Sequence, residues 1–295
     1  MSNKGTSGTM TRISPLFNDV FLSIFGSPDS KEATHALVNA ILTHAGVEAI
    51  GEISELHADA VTGSGIKIRT ARLDVLVISE DGALVDVEAQ RYHANVSNKA
   101  LFYASKLLTE HMPKGTGGDD YDNIPRIVSI TLLEGHEVFE GDVALSVGQV
   151  RWDRGDSTVD GTDRMLFLVA ELEKIRKRYT ANGLDSITDE AEAWLYALAN
   201  GYRDDKEMNE LMSHFPTLRE FAERYRMAID DPEVKRAYDR YVESTLEYNQ
   251  IVHEAQRKGY ATGHDEGRKE GRKEVIDRLR ELGIDEATIA AINET

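Results

Sequence analysis

Two β-rich runs, residues 72–79 and 83–90, flank the tripeptide Glu80-Asp81-Gly82. Aliphatic residues dominate both runs, and an acidic-glycine turn between such runs predicts a β-hairpin. The loop length decides what the hairpin displays. A three-residue loop, a type I turn closed by a left-handed glycine, pairs Ser79 with Ala83 and sets Asp74 directly opposite Glu88. A two-residue loop would turn the two carboxylates to opposite faces. Directly opposed side chains share a face, with Cβ atoms about 4.5–5.5 Å apart, and like charges so placed repel. Two readings stand. The pair belongs to the solvent face of an amphipathic hairpin, or it is a set of hard oxygen ligands for a divalent ion such as Mg2+.

Upstream, Ser14 and Pro15 predict a helix start, with Ser14 as N-cap and Pro15 as the first helical residue. Phe17, Phe21, Ile24 and Phe25 then form one helical face. A second helix is expected over 30–44. After the hairpin come a helix over 95–111, a Gly/Asp-rich loop over 114–122 and a nearly continuous apolar strand over 126–133, of the kind buried on both faces. Strand candidates follow at 144–151 and 165–171. That order predicts an α/β fold with helices on the faces of a sheet.

Beyond about residue 180 the strand pattern stops, and helices are expected over 189–202, 206–212, 217–229 and 232–258. The expected organisation is a disordered N-terminus over 1–11, an α/β domain over 12–180, a helical domain over 181–255 and a charged helical tail over 256–295. Gly259, Gly263, Gly267 and Gly271 punctuate the tail at every fourth position, and a small helical hairpin is expected around Gly283. The glycine stripe either admits a partner helix, as in a homo-oligomer, or belongs to a loosely helical linker.

The chain has no cysteine, which excludes thiolate metal sites and cysteine nucleophiles and permits a reducing compartment. No apolar run approaches the roughly 18 residues of a membrane span, and no secretory pattern opens the chain, so a cytoplasmic location is expected. The 34 basic and 52 acidic residues give a net charge of −18. That argues against general adhesion to nucleic acid and leaves only a local cationic patch. Lys99 and Lys106 lie on one flank of the third helix with Tyr103, either as solvated lysines or as a phosphate-facing pair. Arg268, Lys269, Arg272 and Lys273 belong to the densest basic stretch. The nine histidines are scattered without a zinc pattern, and no phosphate-binding P-loop or nucleophile elbow occurs.

One ordered set of segments goes further. Ser14-Pro15-Leu16-Phe17-Asn18-Asp19-Val20-Phe21, Arg72-Leu73-Asp74-Val75, Val87-Glu88-Ala89-Gln90, Ala100-Leu101-Phe102-Tyr103 and Ile127-Val128-Ser129-Ile130 occur in succession. With the tail segment Glu266-Gly267-Arg268-Lys269-Glu270-Gly271, this set resembles the PD-(D/E)XK nuclease superfamily, in its branch of transposases or Rpn-type recombination-promoting nucleases. The resemblance covers most of 12–180 and, more loosely, the rest. It implies a restriction-endonuclease-like mixed sheet flanked by helices, followed by an all-helical C-terminal region. It also implies Mg2+-dependent hydrolysis of phosphodiester bonds in DNA, with the metal on Asp74, Glu88 and the main-chain carbonyl of Ala89. Asp19 matches an acidic position of the family's first helix. It lies away from the phenylalanine face, and either completes the metal shell or faces water.

Position 90 departs from the superfamily pattern, which usually has lysine there; this branch commonly carries glutamine. Gln90 can orient a neighbour through hydrogen bonds but carries no charge. A substitute cation is therefore expected from the following helix, with Lys106 as the catalytic candidate. Leu22-Ser23 also stand where the family's first helix tends to carry lysine. The rival to an endonuclease is a catalytically inactive relative serving as a DNA-binding or protein-interaction module. Gln90, Leu22 and the net charge favour the rival; the Asp74/Glu88 pair favours the enzyme.

Overall fold

The computed structural model describes residues 13–62, 71–91, 95–112, 123–155, 157–201 and 205–281. The expected disordered N-terminus 1–11, the loop 114–122 and the second arm of the hairpin around Gly283 lie outside the described residues. Helices α1 (Asn18–Phe25) and α2 (Lys31–His44) precede strands β1 (Ile53–Thr62), β2 (Ala71–Ser79) and β3 (Leu84–Gln90). Helix α3 (Val96–His111) leads to β4 (Ile127–Leu133), β5 (Leu145–Asp153) and β6 (Thr158–Glu171). Helices α4 (Leu172–Asn182), α5 (Glu190–Asn200), α6 (Asp205–His214), α7 (Leu218–Asp230) and α8 (Pro232–Glu281) complete the chain.

Among the described residues the six strands form one mixed sheet, in the order β1-β2-β3-β4-β6-β5. β1, β2 and β3 form an antiparallel meander, β3, β4 and β6 run parallel, and β5 returns antiparallel to β6. Parallel neighbours need a crossover, and α3 supplies it between β3 and β4. Every residue of β4 is buried, as its unbroken apolar run requires of a central strand. Ala104 and Leu107 of α3 pack on Leu76, Leu84 and Ile127 of the sheet. This is a restriction-endonuclease-like architecture: a mixed sheet with flanking helices and a helical C-terminal region.

The first helix begins later than its Ser14-Pro15 start signal predicts. Ser14 Oγ donates to Glu134 Oε2 (2.9 Å) and accepts from the Leu16 N–H (3.1 Å), while Phe17 N–H closes a turn on the Ser14 carbonyl (3.0 Å). The hydroxyl is thus committed to the end of β4, and α1 starts at Asn18 without a side-chain cap. Glu134 Oε2 also accepts from Arg91 Nε (3.1 Å), tying the end of β3 to the same point. β6 begins at Thr158, well before the expected 165, because a polar, solvent-facing β5–β6 arm continues the pairing beyond the buried sheet.

The chain divides into two compact units, described residues through Lys235 and those from Arg236 onward. The first includes α5 and α7, which fall in the separate helical domain expected over 181–255. The Phe25 ring of α1 lies 6.3 Å from Trp194 of α5 and 6.2 Å from Phe221 of α7, centroid to centroid, so these helices share one aromatic core. The second unit is the body of α8, exposed along most of its length, with Tyr238 buried. Its helix continues through Gly259, Gly263, Gly267 and Gly271, and apart from the helix's own neighbouring backbone no described atom comes within 4 Å of where a Cβ would stand at any of them.

Candidate active site

The hairpin adopts the three-residue loop. Gly82 has φ +81° and donates its N–H to the Ser79 carbonyl (3.0 Å), and Ser79 N–H donates to the Ala83 carbonyl (3.0 Å). The register follows: Ile78 pairs with Leu84, Val77 with Val85, Leu76 with Asp86 and Val75 with Val87. One step further stand Asp74 and Glu88. There the side chains take over from the backbone ladder. Asp74 N–H donates to Glu88 Oε1 (3.0 Å), and Ala89 N–H donates to Asp74 Oδ2 (2.9 Å). Each carboxylate therefore reaches across to the other strand's main chain, which fixes the pair against its own repulsion.

α3 brings a cation over this pair. Lys99 Nζ lies 2.5 Å from Glu88 Oε2, with the glutamate side chain 3% exposed and the lysine 25%. Gln90 Nε2 donates to the same Oε2 at 3.0 Å. Lys99 Nζ also stands 5.0 Å from the Tyr103 ring centroid, within cation–π range. Burial works against the Lys99 charge, but Glu88 outweighs it and holds the ammonium above the ordinary lysine pKa. Asp74 moves the other way for a carboxylate: burial, then the Glu88 charge, raise it to about 6. Burial likewise raises the Tyr103 phenol.

Two further acids flank the pair and escape the sequence reading. Asp86 is fully buried, its carboxyl held well above the usual range by burial and then by Glu88 and Asp74. The alternation of β3 was signal enough to find it, since it precedes Glu88 by two residues and shares its face. Asp59 of β1 falls between Ala58 and Ala60, which pair with Val75 and Leu73, so it stands across from Asp74. Its charge adds to the rise at Asp74, and its φ of +51° is a left-handed conformation rare outside glycine. Nothing in the pattern of β1 signals that backbone.

The other sequence candidates stand elsewhere. Lys106 Nζ lies 5.7 Å from the Phe102 ring centroid, on the flank of α3, and Lys99 rather than Lys106 meets Glu88. Asp19 is exposed in the first turn of α1, where its Oδ1 accepts from Asn18 Nδ2 (3.2 Å). Ala89 reaches the site through its N–H. Arg268, Lys269, Arg272 and Lys273 are exposed on α8, in the second unit.

The donor set is all oxygen. Among the described residues no three His, Asp or Glu side chains converge closely enough to hold an ion on their own. Two carboxylates with water filling the remaining positions is the usual protein share for Mg2+, and Asp74 and Glu88 supply that share. The residues present fit a hard divalent cation. No described helix is long and apolar enough to cross a membrane.

A family model described as a PD-(D/E)XK nuclease family transposase matches residues 16–255. No curated protein and no solved structure matches the chain.

Proposed function

The chain belongs to the PD-(D/E)XK nuclease family transposases, and on that premise we propose that it is a Mg2+-dependent DNA endonuclease acting in recombination or transposition. The observation that carries this reading is the cross-strand pair Asp74 and Glu88, each held by the other strand's backbone, with the Lys99 ammonium on Glu88. Asp74 and Glu88, with the Ala89 carbonyl, would hold the cation; Asp19 is the outlying candidate. When bound, such an ion supplies Lewis-acid stabilisation of phosphate oxygens and lowers the pKa of water.

The chain's own residues do the rest. Gln90 donates to Glu88 and orients it, a role an uncharged amide can fill. Lys99 supplies the positive charge that position 90 lacks, and its high pKa keeps it protonated at neutral pH. Lys106 becomes a phosphate-binding residue beside the site rather than a catalytic one. Arg268, Lys269, Arg272 and Lys273 offer a second run of phosphate contacts. The glycine stripe of α8 is our candidate surface for self-association, and a cytoplasmic setting completes the reading.

Incubation of purified protein with plasmid DNA, with and without Mg2+, tests it. Nicking that requires Mg2+ and is lost in Asp74→Asn supports the enzyme. DNA retention with no nicking under any divalent cation would favour the catalytically inactive module, the reading that Gln90 and the −18 net charge support.

A further inference from the structure

The segment that leaves β4 for β5 is held from inside the protein. Glu171, at the end of β6, is wholly buried, and Lys174, in the first turn of α4, is buried beside it; their charges meet at 2.6 Å. Glu171 Oε1 accepts the Val138 and Phe139 N–H groups, and Lys174 Nζ donates to the carbonyls of Phe139 (2.7 Å) and Val143 (3.2 Å). An ion pair this deep offsets its desolvation only when its remaining donors and acceptors are also satisfied, and here the loop backbone supplies those partners. The pair therefore fixes one backbone conformation between Val138 and Val143.

What the fixed loop displays is apolar. Phe139 is 37% and Val143 64% exposed. Phe139 also lines an open groove of about 400 Å3 with Leu101 of α3, Val147 of β5 and Phe167 and Val169 of β6, and Leu101 is 51% exposed. A loop that only joined two strands would gain nothing from large apolar side chains kept in water. Rigid apolar anchors around a concave surface lower the ordering cost of association. The groove lies on the sheet face of the acidic pair, since Val169 is in register with Thr131 and Thr131 with Glu88. α3 stands between the two, with Lys99 on Glu88 and Leu101 on the groove.

The rim sets the charge of what can bind. Residues 135–143 include Glu137, Glu140 and Asp142 and no lysine or arginine. All three acids are exposed, and Lys177 reaches Glu137. Such a rim repels DNA phosphates, and a second copy docked face to face would set acid against acid. We propose that this groove docks another protein, taking an amphipathic helix whose apolar side chains enter between Leu101 and Phe139 and whose lysines or arginines meet Glu140 and Asp142. A partner held there touches the helix that carries Lys99. The inference stands apart from the nuclease reading.

The test is fluorescence anisotropy of labelled model helices of about 14 residues, roughly four turns, titrated with the full chain. A helix of leucine and lysine should bind. Helices of serine and lysine, and of leucine and glutamate, should bind at least about ten-fold more weakly. Phe139→Ser combined with Leu101→Ser should weaken the leucine–lysine helix about ten-fold or more, the scale of a lost anchor residue, with melting unchanged. Leu101→Ser alone repeats the measurement, should the double variant not fold. Unchanged affinity in these variants, or equal affinity for the serine–lysine helix, would overturn the proposal, because the net charge of −18 alone would then hold the peptide. Loss of duplex DNA binding in these variants, with peptide binding unchanged, would overturn it too and assign the groove to nucleic acid.

Discussion

Lys99 and Glu88 meet at 2.5 Å across the join between α3 and β3, and the same glutamate oxygen receives the Gln90 amide at 3.0 Å. The glutamate is buried and the lysine only part-exposed, so this pair is screened less than a surface ion pair. On the nuclease reading it supplies the fixed cation that Gln90 lacks. The division of labour between orienting amide and charged amine gives the first prediction.

Lys99→Ala should lower the turnover of Mg2+-dependent nicking by about 10²–10³, the range for loss of one preorganised charge-stabilising donor. It should also cost about 1.5–3 kcal/mol of stability, because Glu88 loses a charged partner. Lys106→Ala should leave turnover within a few-fold and stability within about 0.5 kcal/mol. Single-turnover nicking and urea unfolding of both variants read these directly. The reverse ranking would move the catalytic cation to Lys106.

Asp74→Asn and Glu88→Gln should each abolish nicking while the protein stays folded. The amide forms retain an oxygen that can accept from the Ala89 and Asp74 N–H groups. Alanine at either site would orphan one backbone donor and offset the gain from relieved repulsion by about 1 kcal/mol. Asp74→Asn should therefore melt at or above the wild type in chelator, whereas Glu88→Gln, which strips Lys99 of its partner, should melt below it, and each alanine variant should melt below its amide counterpart.

The pH dependence follows from Asp74. Its folded pKa, about 6, lies above the ordinary 3.8, so the folded state binds the extra proton between those values. Stability from this group is fully present below about pH 4 and is lost as pH rises through about 6. In chelator, the melting difference between wild type and Asp74→Asn should widen over that window, with the wild type falling. Cation binding needs the ionised carboxylate and should strengthen over the same range. A difference that stays flat from pH 4 to 7 would mean that Asp74 titrates normally.

Gly82→Ala tests the loop that sets the register. An added Cβ meets nothing within 4 Å, so any cost is backbone strain at φ +81° alone. About 1–2 kcal/mol is expected for an L-residue in that region, read as a lowered urea midpoint. A neutral substitution would show that the loop can relax into another turn.

Truncation before Arg257 removes the basic run of α8. If those side chains neutralise DNA phosphates, the slope of log K against log salt should become shallower by about 0.9 for each phosphate they neutralise. Nicking at high protein concentration should persist, because the proposed cation site lies wholly in the first unit. An unchanged slope would leave α8 to self-association.

The hairpin was legible because its turn is chemically explicit. Glu80-Asp81-Gly82 admits few loops, and one of them forces Asp74 opposite Glu88. The buried β4 and the phenylalanine face of α1 were legible for the same reason, as periodicity and burial coincide there. What the pattern could not carry was the aim of long side chains. Lys99 and Lys106 share one flank of α3, two turns apart, and only the crossing of that helix over β3 decides which reaches Glu88. Asp86 reads as one more polar residue in an alternating strand until β4 and α3 close over it. The start of α1 was misplaced because a distant residue, Glu134, engages the hydroxyl that would have capped it. The join of α5 and α7 to α1 depends on ring packing between residues far apart in the chain, which no local pattern encodes.

The three carboxylates, Gln90 and Lys99 all fall between residues 74 and 99, in a hairpin and the helix that follows it directly. Pairings of such short span close at small entropic cost and form early in folding, ahead of those that join distant segments. The opposing charges can thus meet while most of the chain is still unpaired, whereas the aromatic core that α5 and α7 share with α1 joins segments far apart in the chain. The acidic centre is thus the local product of one short stretch of chain.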